Sequence, residues 1–129
     1  MKVLADTSVW VEYFRRIPAT FERLDGLLEE NAVVLCGPVM AELVRGTHED
    51  DRSALWVSVG ALPWVETDHT TWREAGEVGY ALARSGAAVP LTDIVIAVCS
   101  VRAGASLWTH DRDFARVQAV LDGLELYSP

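Results

Sequence analysis

The sequence predicts an α/β protein: a mainly parallel sheet of five strands with helices on its faces. Three observations predict it. Five short apolar runs read as strands: Val3–Ala5, Val33–Cys36, Trp64–Glu66, Ser106–Thr109 and Leu124–Tyr127. Between them, apolar residues recur at helical spacing. The segment Asp93–Ala103 is apolar almost all round, as a helix at the centre of a domain is. Strands that alternate with helices build parallel sheets covered on both faces. Ligands of such sheets sit at the carboxyl ends of the strands.

The elements follow in order. Val3–Ala5 ends on Asp6, and Thr7 and Ser8 then form a helix-start signal. Phe21, Leu24, Leu27 and Leu28 keep helical spacing, with Thr20 in position to cap them. After the second strand, Pro38 opens a short helix that Gly46 can close. Asp51–Val59 reads as a further helix with Leu55, Trp56 and Val59 on one face. Trp72, Ala75, Gly76, Gly79 and Leu82 form the stripe of a longer helix that ends near Gly86. Each interior glycine costs about 1 kcal/mol relative to alanine, so close packing is expected along that stripe. Pro90 precedes the central helix and Gly104 ends it.

Composition narrows the class. The chain has 129 residues, half of them hydrophobic and 23% charged, which suits one globular domain over 1–129 and excludes disorder. No apolar run reaches the length of a membrane span, and the start lacks the apolar stretch expected of a secretory signal. Cys36 and Cys99 sit in apolar segments and read as reduced core thiols, which points to the cytoplasm. The net charge of -8 argues against general nucleic-acid binding. Ten of the eleven basic residues are arginine, a side chain that suits phosphate, although compositional bias gives the same ratio.

Four acids stand apart from the surface charges. Asp6 ends the first strand; Glu42, in VMAELVRG, follows the second; Asp93, in LTDIVIAVCS, begins the central helix; Asp111, in LWTHDRDF, follows a late strand. The topology brings them to one edge of the sheet. Each has a structural reading as well. Asp6 can cap a helix, Asp93 gains roughly 0.3–1 kcal/mol from a helix dipole, and Asp111 suits a turn. Glu42 is the hardest to dismiss, since an acid among apolar residues is seldom buried without a partner. Together, four converging carboxylates call for a cation. His48, His69 and His110 lie far apart and the cysteines are isolated, so zinc is not suggested. An all-oxygen set suits one or two Mg²⁺ ions, with Mn²⁺ as a substitute, and in-line phosphodiester hydrolysis is the matching chemistry.

The motifs LADTSVWVEYF, VMAELVRG, LTDIVIAVCS and LWTHDRDF, in this order and spacing, resemble the PIN-domain ribonucleases, in particular the VapC toxins of type II toxin–antitoxin systems. The resemblance spans essentially the whole chain. It implies a five-stranded parallel sheet between helices and a Mg²⁺-dependent endoribonuclease. It also implies a homodimer, and a VapB-type antitoxin that blocks the site in a hetero-oligomer. Carried over by residue, the catalytic and metal-binding set is Asp6, Glu42, Asp93 and Asp111, with Asp113 the alternative fourth acid. Thr7, Ser8 and Thr109 are the flanking hydroxyls, Arg15, Arg16 and Arg112 the candidates for RNA contact, and His110 a bystander or a support.

Other classes fit less well. A haloacid-dehalogenase-type phosphatase needs a second aspartate where this chain has Ser8. A receiver-like signalling domain needs a lysine late in the chain, and the only lysine is Lys2. A catalytically silent PIN-like binding module would not need the full acidic set.

Overall fold

A computed structural model describes all residues, 1–129. Its sheet has four strands: β1 (Val3–Ala5), β2 (Val33–Cys36), β3 (Trp64–Val65) and β4 (Ser106–Trp108). Their spatial order is β3-β2-β1-β4, and every pairing is parallel. The register sets Leu4 beside Val34 on one side and Leu107 on the other. Every residue of β1 and β2 is buried. Side chains alternate between faces along a strand, so both faces of the sheet are covered.

The fifth strand is a correction. Leu124–Tyr127 meets β4 in an isolated bridge, Leu107 with Leu126, closed by Leu107 N–H to Glu125 O and Tyr127 N–H to Leu107 O, both 2.8 Å. No ladder extends beyond it. β4 also stops one residue early, because Thr109 turns toward β1.

Seven helices flank the sheet: α1 (Thr7–Phe14), α2 (Pro18–Glu29), α3 (Gly37–Gly46), α4 (Arg52–Val59), α5 (His69–Arg84), α6 (Leu91–Arg102) and α7 (Phe114–Gln118). A 3₁₀ turn, Glu49–Asp51, leads into α4. Proline within the first turn starts α2 and α3, where its missing N–H costs nothing. Thr20 is not a cap. It lies inside α2, 5% exposed, because Pro18 starts that helix earlier. Asp68 and Thr71 form a capping box on α5, and the Thr70 and Thr71 donors hold the Asp68 carboxyl down at about 2.

α6 is the central helix, buried continuously from Ile94 to Ser100. It ends at Gly104, whose φ of 64° is left-handed and open to glycine. The chain then enters β4 directly, so the N-terminus of α6 lies at the carboxyl edge of the sheet.

The α5 stripe packs more loosely than its glycines suggest. A Cβ on Gly76 would meet nothing within 4 Å, and one on Gly79 would make an ordinary 3.5 Å contact with Ile94. Trp72 is half exposed, as is Trp56 on α4, whereas Trp10 and Trp108 are buried. Cys36 and Cys99 are free thiols in the core, and hydrogen bonding to Cys99 together with burial pushes the Cys36 thiol up. No helix is long and apolar enough to cross a membrane.

Candidate active site

Parallel strands deliver all their carboxyl ends to one edge. The chain runs from β1 to β2 in one direction and reaches β4 in the other, so a crevice opens between the ends of β1 and β4. Asp6 follows β1 directly. Glu42 stands in the second turn of α3, the helix leaving β2. Asp93 is in the first turn of α6, and Asp111 is in the loop after β4. The four acids line one pocket of about 400 Å³, together with Thr7, Ser8, Pro90, Thr92 and Ile96.

The hydroxyls organise the acids. Asp6 is both a helix cap and a wall of the pocket. Its Oδ1 accepts from the Ser8 N–H (3.0 Å), the Val9 N–H (3.3 Å) and the Ser8 hydroxyl (2.5 Å). Its Oδ2 accepts from the Thr109 hydroxyl at 2.5 Å, which ties the loop after β4 to the end of β1. Glu42 accepts from the Thr7 hydroxyl at 2.9 Å, linking α1 to α3. As arranged, no three of the acids stand close enough to enclose one ion.

Asp93 reports the electrostatics. Its carboxyl is pushed from the usual 3.8 up to about 6, first by burial and then by Asp111, Glu42, Asp6 and Asp113. No cationic side chain lines the pocket. The donor set is entirely oxygen, which suits a hard divalent cation and not zinc.

The remaining candidates separate. Asp113 does not line the pocket; it precedes α7, donates its N–H to Asp111 at 2.9 Å and lies 4.0 Å from Arg116. Arg112 adjoins Asp111 along a neighbouring hollow. Arg15 and Arg16 end α1 away from the acids, and the Arg16 guanidinium lies over the Phe21 ring, 5.1 Å from its centroid. Sequence reasoning missed Glu12, whose Oε1 lies 2.8 Å from His110 Nε2 and 2.6 Å from the Thr20 hydroxyl. The one local signal was its place four residues after Ser8, on the same face of α1.

The profile of the PIN domain family matches residues 3–120. The chain belongs to the PIN domain family. It is 35% identical over 118 residues to VapC ribonuclease Mb1587 of Mycobacterium bovis, covering 87% of this chain and 88% of that one. Ribonuclease VapC21 of Mycobacterium tuberculosis is 30% identical over 112 residues, covering 84% and 81%. Among solved structures, the PIN domain fold here matches VapBC2 from Rickettsia felis bound to a promoter DNA fragment, with a TM-score of 0.81 at 21% identity over 98% of each chain. DNA-bound VapBC from Salmonella typhimurium matches with a TM-score of 0.82 at 19% identity, covering 98% and 97%.

Proposed function

We propose that this chain is the toxin of a type II toxin–antitoxin pair, a divalent-cation-dependent endoribonuclease acting through Asp6, Glu42, Asp93 and Asp111. The observation that carries the reading is the pocket itself. Four acids from four separate elements meet at the carboxyl edge of a parallel sheet, and Asp93 is pushed up to about 6 in their company. The ribonuclease names of the relatives supply the substrate class.

One or two Mg²⁺ or Mn²⁺ ions held there would offset the acids and supply charge stabilisation at the scissile phosphate and an activated water. The chain's own residues do the positioning. Thr7 orients Glu42; Ser8 and Thr109 fix both oxygens of Asp6. Asp111 takes the fourth place, since it lines the pocket and Asp113 does not. Arg112, next to it, is placed to meet the RNA backbone.

An antitoxin of the VapB type has a suitable seat. Tyr13, Phe14, Phe21 and Leu55 line a groove of about 360 Å³, with Arg16 and Asp51 at its edge. Exposed Ile17, Trp56 and Val57 extend the apolar surface of these elements. An apolar antitoxin segment fits this surface. We place the toxin in the cytoplasm as a homodimer within a toxin–antitoxin hetero-oligomer.

The test is cleavage of single-stranded or looped RNA by antitoxin-free protein. Mg²⁺ and Mn²⁺ should support it, Ca²⁺ should support it poorly because of its looser coordination, and EDTA should stop it. Cleavage that persists in excess chelator would overturn the reading.

A further inference from the structure

The loop that carries Asp111 does little to hold its own acid. Asp111 is exposed, and its carboxylate accepts only the Asp113 N–H, a bond internal to the turn. Downstream, the loop is anchored by the buried Phe114, whose N–H donates to Asp111 O at 3.4 Å. Upstream, it is anchored at Thr109, whose hydroxyl accepts the Asp111 N–H at 2.9 Å, and at His110. Thr109 is tied to Asp6. His110 is held twice by α1: its N–H donates to Ser8 Oγ at 3.1 Å, and its Nε2 lies 2.8 Å from Glu12 Oε1. Ser8 and Glu12 are four residues apart and share one face of α1, so a single helix grips both the main chain and the side chain of His110.

Glu12 is itself braced. The oxygen that meets His110 also accepts the Thr20 hydroxyl of α2 at 2.6 Å. Thr20 sits inside its helix at 5% exposure and caps nothing. A buried hydroxyl needs a partner, and here the partner is Glu12. The His110 ring does not line the acid pocket, so it acts as a strut beside it.

We propose that Glu12, braced by Thr20, is a positioning residue that holds the Asp111 loop at the acid pocket through His110. Only the activity arm of this proposal rests on the nuclease reading, because the clasp also predicts the stiffness of the loop in metal-free protein. Misplacing a reacting group by about 1 Å can cost on the order of 100-fold in rate, so a loosened loop reads out in kcat.

The experiment compares wild type with Glu12→Ala, His110→Ala, the double variant and Glu12→Gln. The first readout is amide exchange across residues 109–113 in EDTA. Exchange should rise about tenfold in both alanine variants while β1 and β2 keep their protection. Glu12→Gln, which retains an accepting oxygen, should lie between wild type and Glu12→Ala. The second readout is RNA cleavage. In Glu12→Ala, kcat should fall at least roughly tenfold with KM within about twofold, and the double variant should be no worse than either single one. A loosened loop in a protein whose wild type cuts no RNA supports the clasp and defeats the nuclease reading alone. Unchanged loop exchange in both alanine variants overturns the clasp. So does undiminished kcat in a protein that does cut RNA.

Discussion

Asp93→Asn removes one charge from the acid pocket and keeps the shape of the side chain. The wild-type carboxyl is pushed from 3.8 up to about 6, by burial first and by the neighbouring acids after it. A shift of about two units corresponds to roughly 3 kcal/mol against the ionised form. Asp93 is only part-buried, and solvent screening reduces this to about 1–2 kcal/mol. The folded pKa lies above the unfolded one, so folding binds protons. The associated stability is fully present below about pH 4 and is lost as pH rises through about 6. In EDTA at pH 7.5 the variant should therefore be more stable than wild type by about 1–2 kcal/mol, or roughly 4–8 °C in Tm. At pH 4 the two should melt together. On the proposed metal site, adding Mg²⁺ should stabilise wild type more than the variant. Thermal melts across pH, with and without metal, give the comparison. An Asp93→Asn protein that is less stable than wild type at pH 7.5 in EDTA would show that burial and the neighbouring acids do not destabilise the ionised Asp93 carboxylate.

The other acids should behave differently. Asp6 accepts from four donors spread over both oxygens, and asparagine cannot accept at both positions. Asp6→Asn should therefore lose about 1–2 kcal/mol in EDTA, opposite in sign to Asp93→Asn, and should lose RNA cleavage as well. Asp111→Asn should cut activity far more than Asp113→Asn, measured as kcat on one RNA; the reverse order would move the fourth acid two residues along. Phe14→Asp or Trp56→Asp should weaken antitoxin binding by about 30-fold or more, read by calorimetry, and leave metal-dependent cleavage intact. Light scattering at micromolar concentration should give a dimer.

Much of the fold was legible because its signals are local. The apolar runs of β1, β2 and β4, Pro38 at the start of α3 and Gly104 after α6 each act through their own backbone. The misreadings arose where distant contacts decide. Thr20 resembles a cap in isolation, but Pro18 begins α2 earlier and the hydroxyl goes to Glu12. Leu124–Tyr127 has strand composition, but only Leu126 finds a register partner on β4. Trp72 and Trp56 continue apolar stripes in the sequence, yet they lie at the rim, where a helical stripe leaves the core and faces water.

The pocket was legible for a related reason. Parallel strands carry their carboxyl ends to one edge, so residues just after strands gather even when far apart in sequence. Asp6 posed a choice between cap and site that was not exclusive: one carboxylate caps α1 and lines the pocket. Glu12 stayed hidden because its partners, Thr20 and His110, come from two other segments. No spacing rule connects the three.

If Asp6, Glu42, Asp93 and Asp111 hold a catalytic divalent cation, as proposed, the ion must draw them closer together than they stand without it. Crystals grown with Mn²⁺, measured for anomalous scattering at the manganese edge, test this cation site most directly. A manganese peak is expected in this pocket, ligated by carboxylate oxygens of these acids and absent in Asp93→Asn crystals grown identically. Manganese bound only elsewhere on the protein, or a peak in the pocket unchanged by Asp93→Asn, would contradict it.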